Sequence, residues 1–130
     1  MDDTMQEFVS WLKTDLTHFA ALVEEGSVAT DDPIQTGYSD NDVQIVVYAD
    51  VASEMLAVRN WLQQHPLGDN YLLSPRVYEE FIVGDTLNDL SLKFRSRTIA
   101  GRDVVAEKQP PSREAAIKLG TMVYNIWLND

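Results

Sequence analysis

Gly26-Ser27-Val28-Ala29-Thr30-Asp31-Asp32-Pro33-Ile34-Gln35-Thr36-Gly37-Tyr38-Ser39-Asp40-Asn41-Asp42-Val43-Gln44-Ile45-Val46-Val47 runs from a small-residue turn into the clearest strand of the chain. From Val43 to Tyr48 every residue except Gln44 is β-branched or aromatic, a composition that favours a pleated, buried strand. Asp40 and Asp42 stand at its mouth. Residues two apart in an extended chain point to one face, so the two carboxylates lie side by side and suit a hard divalent cation, magnesium or manganese. Gly26 and Ser27 supply a tight turn and a short hydroxyl where a phosphate can approach backbone amides.

Outward from this stretch, helical and extended patterns alternate. Phe8, Trp11, Leu12 and Leu16 recur at helical spacing, which predicts a helix over residues 3–16. His18 to Glu24 is apolar on both faces between its ends, as a central strand is. Asp50 can cap a helix whose stripe is Val51, Met55, Val58 and Leu62, ending before Pro66 and Gly68. Arg76 to Val83 reads as a third strand. Between Leu87 and Ala100 two periods compete: Leu90, Leu92 and Phe94 alternate, while Leu87, Leu90 and Phe94 fit a helix, and the helix is the preferred reading. Residues 108–111 read as a linker, after which Ser112 caps a last helix with Glu114 close behind. Its stripe is Ala115, Leu119, Met122, Val123, Ile126 and Trp127. The expectation is one α/β domain over residues 1–130, a small mixed sheet flanked by helices, with the site at one sheet edge. Trp11, Trp61 and Trp127 lie on apolar helical stripes and are expected in the core, and His18 and His65 are expected to pack or cap.

With 130 residues the chain should bury roughly two thirds of its unfolded surface. Ten basic against 21 acidic residues leave a formal charge of −11, which opposes non-specific binding to nucleic acid or an anionic membrane. There is no cysteine, hence no disulfide and no thiolate metal site, which fits a reducing cytoplasm. No basic-then-apolar leader opens the chain, and no apolar run approaches the ~20 residues needed to span a bilayer. Lys93, Arg95, Arg97 and Arg102 form the one basic cluster, read as a solvated helix face with phosphate contact as the alternative.

The order Gly26-Ser27, loop, Ser39-Asp40-Asn41-Asp42 and apolar strand resembles the nucleotidyltransferase superfamily, and most nearly the N-terminal domain of the streptomycin and spectinomycin (aminoglycoside) adenylyltransferases. Val77-Tyr78-Glu79-Glu80-Phe81-Ile82-Val83 is similar to the strand that carries the family's third carboxylate. Phe94 to Asp103 matches, more loosely, a helix closing on a Gly-containing turn. The resemblance implies transfer of a nucleoside monophosphate from ATP or another triphosphate to a hydroxyl acceptor with two divalent ions. Asp40, Asp42 and Glu79 would be the metal and catalytic carboxylates, with Glu79 preferred to Glu80, and Gly26, Ser27 and Ser39 would hold the nucleotide. The chain departs from the pattern in its long acidic spacer, with Asp31, Asp32 and Pro33, and in Glu25, which stands where relatives have the apolar end of a strand. The relatives continue into a helical acceptor-binding domain, of which residues 112–128 would be the start. Two other readings stay open: a non-catalytic, antitoxin-type protein that pairs with a separate helical partner, and a degenerate relative that keeps the scaffold without the chemistry. The C-terminal stripe is expected to pack partly on its own sheet and partly in a homodimer.

Overall fold

The apolar run forms strand β2 (Asn41–Val47) at the centre of a four-stranded sheet in the computed structural model, which describes residues 3–25, 41–68, 71–110, 112–115 and 117–118. β1 (Phe19–Glu25) pairs with it antiparallel, and β3 (Tyr71–Val77) pairs with its other edge in parallel. β4 (Ser96–Gly101) lies antiparallel outside β1, so the order is β3-β2-β1-β4. Helix α1 (Asp3–Asp15) precedes β1, and α2 (Val51–Gln64) crosses from β2 to its parallel neighbour β3. Helices α3 (Tyr78–Val83) and α4 (Leu87–Phe94) link β3 to β4, and α5 (Val104–Glu107) follows. The chain thus adopts the expected small mixed sheet flanked by helices.

Both faces of the sheet are covered, which explains why the apolar run does not alternate with polar residues. Val43, Ile45 and Val47 of β2 meet Phe8, Leu12 and Val58 from α1 and α2 in one core. Val46 meets Ala21, Val23, Phe81, Leu92 and Val104 in the other, under α3, α4 and α5. Rings organise the first core: Trp61 stacks on Phe8 at 5.4 Å, on Trp11 at 5.5 Å and on His65 at 4.2 Å. Trp11 and Trp61 therefore pack as expected, while Trp127 lies outside the described residues. His65 holds its Nδ1 3.0 Å from the Trp61 carbonyl, and His18 holds its Nε2 3.0 Å from Asp50.

Three readings of the sequence are corrected here. The third strand is Tyr71–Val77, not residues 76–83, and Tyr78 to Val83 turn into helix. Tyr78, Phe81 and Ile82 fall at helical spacing onto the second core, and that burial outweighs the strand propensity of the run. Pro75 is tolerated because β3 is an edge strand among the described residues. Second, the segment from Leu87 to Ala100 divides between its two competing periods, helix to Phe94 and strand from Ser96. Third, Asp50 starts α2 without a side-chain capping bond. It sits at φ 54°, ψ 46°, its side chain goes to His18, and its carbonyl accepts the Glu54 amide at 2.9 Å. The side chain of Glu54 in turn accepts the His18 amide at 3.1 Å. Residues 108–110 are irregular, as a linker is, although Lys108 itself is buried. Ser112 does cap: its Oγ accepts the Ala115 amide at 3.1 Å, and residues 113–115 and 117–118 are helical. The stripe from Leu119 to Trp127 lies outside the described residues. Among the described residues no helix is long and apolar enough to cross a membrane.

Candidate functional site

Of the residues singled out in the sequence, Asp42 and Glu79 are described, whereas Gly26, Ser27, Ser39 and Asp40 lie outside the described residues. Asp42 stands within β2 rather than ahead of it, because the ladder to both neighbours begins at this end. Its parallel partner is Leu72, and its antiparallel partner is Glu25, the last residue of β1. Directly opposed residues in an antiparallel pair point to one face. Two half-buried carboxylates therefore face the same way across a strand pair, a destabilising juxtaposition for like charges. Burial raises the Glu25 carboxyl above its ordinary value, and the Asp42 charge raises it further, with Gln44 and Arg76 pulling the other way.

Gln44, two residues along the same face, is 5% exposed. Its Nε2 lies 3.4 Å from Glu25 Oε1, while its Oε1 is buried with no hydrogen-bond partner. An orphaned amide oxygen costs about 1–3 kcal/mol.

Glu79 is corrected from strand to helix. It stands exposed in the first turn of α3, beyond Val77, whose partner on β2 is Val47. Five residues of strand separate Val47 from Asp42, about 16 Å at the usual rise. The sheet thus places Glu79 and Asp42 at opposite ends, and the acid opposite Asp42 is Glu25. Among the described residues no three acids or histidines gather to hold a metal ion.

Behind this end, the same face carries a buried ionic cluster. Asp89, fully buried on α4, holds its Oδ1 2.8 Å from Arg76 Nη2 and 3.0 Å from Lys108 Nζ. Its Oδ2 accepts the Thr86 amide at 3.0 Å and the Thr86 hydroxyl at 2.7 Å, and the Asp89 amide returns a bond to that hydroxyl, which makes a capping box with Asp89 at its third position. Lys108 also donates to the Phe81 carbonyl. Burial raises the Asp89 carboxyl, but the Thr86 bonds, Lys108 and Arg76 outweigh it and bring it down to about 2.

Gly84 lies against this carboxylate so closely that a Cβ there would overlap it. Its φ is −57°, so Gly84→Ala adds no backbone strain, and its whole cost comes from displacing a side chain with four partners. We expect a loss of about 1–3 kcal/mol, read as a lower urea midpoint with unchanged slope. In a protein already lacking the Asp89 carboxylate the same change should cost almost nothing.

The basic residues are spread over α4, β4 and the turn after it, so they form no helix face. Lys93 donates to the Val105 carbonyl at 3.2 Å, Arg97 pairs with Glu24 at 3.0 Å, and Arg102 pairs with Glu107 at 2.6 Å. An apolar groove between α2 and β3, lined by Met55, Val58, Arg59, Leu62, Gln63 and Leu73, opens on the other face and is chemically unsuited to a triphosphate. The sequence patterns single out neither Thr86 nor Asp89, and Glu25 only as a departure from the family pattern. Thr86-Leu87-Asn88-Asp89 carries the capping-box spacing and was legible, whereas Glu25 needs the β1–β2 register. No protein-family model matches the chain, and no curated protein matches it either.

Proposed function

We propose that the chain is a metal-dependent nucleotidyltransferase that moves a nucleoside monophosphate from a triphosphate, ATP in the first instance, to a hydroxyl acceptor. The observation that carries this reading is Asp42: the second carboxylate of an Asp-x-Asp pattern, on the central strand, half-buried and opposite another acid. Magnesium or manganese, when bound, would supply charge neutralisation and acidify the acceptor hydroxyl. Asp40 and Asp42 are the residues that would hold it. Gly26, Ser27 and Ser39 supply backbone amides and hydroxyls for the phosphates, and the rigid strand orients Asp42 without a reorganisation cost. The remoteness of Glu79 favours, as a second reading, the non-catalytic fold relative or partner protein.

Thermal unfolding separates the two. Millimolar magnesium and ATP should raise the melting temperature of the wild type, since a ligand at 10 to 100 times its Kd stabilises by about 1.4–2.7 kcal/mol. Asp42→Asn should abolish that rise and leave the apo protein as stable as before or slightly more so, because it removes one of two opposed charges. A wild type indifferent to magnesium and ATP would sink the catalytic reading in favour of the second.

A further inference from the structure

We propose that the apolar groove between α2 and β3 binds a single-chain amphiphile with a carboxylate head, of the medium-chain fatty-acid class. Its floor is Met55, Val58, Leu62 and Leu73, side chains already packed on the first core, so the groove is formed before anything enters it. Arg59 and Gln63 make its lip. They stand four residues apart on α2 and therefore neighbour each other on one face of the helix. Among the described residues neither side chain makes an ion pair or a hydrogen bond, whereas Arg76, Arg97 and Arg102 are each tied to a carboxylate. Arg59 is also the only lysine or arginine between Lys13 and Arg76 in a chain of net charge −11, and no acid is among the described residues that line the groove. A guanidinium with open donors beside an apolar floor is complementary to a carboxylate on a hydrocarbon chain. The hydrocarbon displaces water from Met55, Leu62 and Leu73, while the head accepts charge-assisted bonds from Arg59, with Gln63 as a second donor. Size favours a small ligand over a protein. The groove holds about 350 Å³, at the low end of small-molecule sites of about 300–1,000 Å³, and six described residues line it, against the about 20–30 a side of a stable protein interface. Leu73 and Val58 belong to the core under Val43, and Asp42 alternates with Val43 to the opposite face, so this ligand owes nothing to the metal-dependent reading of the Asp42 end.

Decanoate, kept below its micelle concentration, is the probe, titrated by calorimetry into the full chain against decyltrimethylammonium, which carries a hydrocarbon chain of the same length and the opposite charge. The net charge of −11 biases every non-specific contact toward the cation, so a preference for decanoate requires a local positive charge. The wild type should bind decanoate at least tenfold more tightly than decyltrimethylammonium. Arg59→Gln should weaken decanoate about tenfold, and Arg59→Glu should reverse the preference. Arg59 is exposed, so both variants should keep the wild-type melting temperature, which separates lost binding from lost structure. Decanoate bound equally by the wild type and Arg59→Gln would mean apolar contact without recognition and overturns the assignment. A wild type that binds the two amphiphiles equally overturns it too. So does a wild type that binds no decanoate, and if that protein sediments as a dimer which Arg59→Glu dissociates, the groove seats a second copy of the chain.

Discussion

Asp89→Ala should cost the fold about 3–5 kcal/mol, because it leaves Lys108 as a buried cation with no counter-charge and takes the ion-pair partner from Arg76. The loss is larger than for an exposed ion pair because Lys108 and Asp89 are both fully buried at their side chains. Replacing the pair together, Asp89→Leu with Lys108→Met, should restore much of the stability, since well-packed apolar residues of similar volume often substitute for a buried pair. Urea unfolding of the two variants checks this. A double variant no better than Asp89→Ala would mean that the capping box with Thr86 matters more than the charges.

The pH dependence follows from the same cluster. The Asp89 carboxyl is held at about 2 in the fold against an ordinary value of 3.8, so the unfolded chain binds its proton first as the pH falls. Its contribution, about 2 kcal/mol at 1.36 kcal/mol per pH unit, is complete above pH 4 and disappears between about pH 4 and pH 2. Glu25 has the opposite sign: its carboxyl is raised, so its ionisation costs stability that is regained as the pH falls through its folded value. Asp89→Ala should flatten the acid limb, and Glu25→Gln should remove the gain above it.

Local pattern is enough to specify most of the scaffold. The helix around Phe8 and the stripe from Val51 to Leu62 repeat their period within a few residues, and the strand around Ile45 is an unbroken β-branched run, so each is a local property. What escaped was long-range. Glu25 comes to face Asp42 only through the β1–β2 register, and the turn of Tyr78 into helix depends on a core that α4 and α5 complete. Lys108 reads as a polar connector in sequence and is buried because Asp89, nineteen residues earlier, receives it. The motif alone suggested a third carboxylate on the third strand, and the parallel register moved that carboxylate to the wrong end of the sheet.

Gly101→Ala is the second substitution with a large expected effect, about 2–5 kcal/mol. Gly101 has φ +79°, where an alanine Cβ costs about 1–2 kcal/mol. A Cβ there would also overlap the Ala20 carbonyl oxygen and approach the Ala21 Cα and the Phe19 ring at 3.0 Å. Two of those neighbours are main chain in β1, which is paired on both edges and cannot retreat. The overlap should therefore add about 1–3 kcal/mol, as overpacking does. The Ala20 oxygen is also the acceptor of the Arg102 amide at 2.9 Å, a bond that displacement would break. Gly68 supplies the control, with φ +95° and nothing within 4 Å of its Cβ position. Gly68→Ala carries the backbone term without the crowding, so the difference between the two melting temperatures isolates the close approach of β4 to β1. On the usual scale that difference is about 3–10 °C for a chain of this length. If Gly101→Ala melts no lower than Gly68→Ala, the end of β4 yields to the new methyl group, and faster exchange of the Arg102 amide would locate where it gives way.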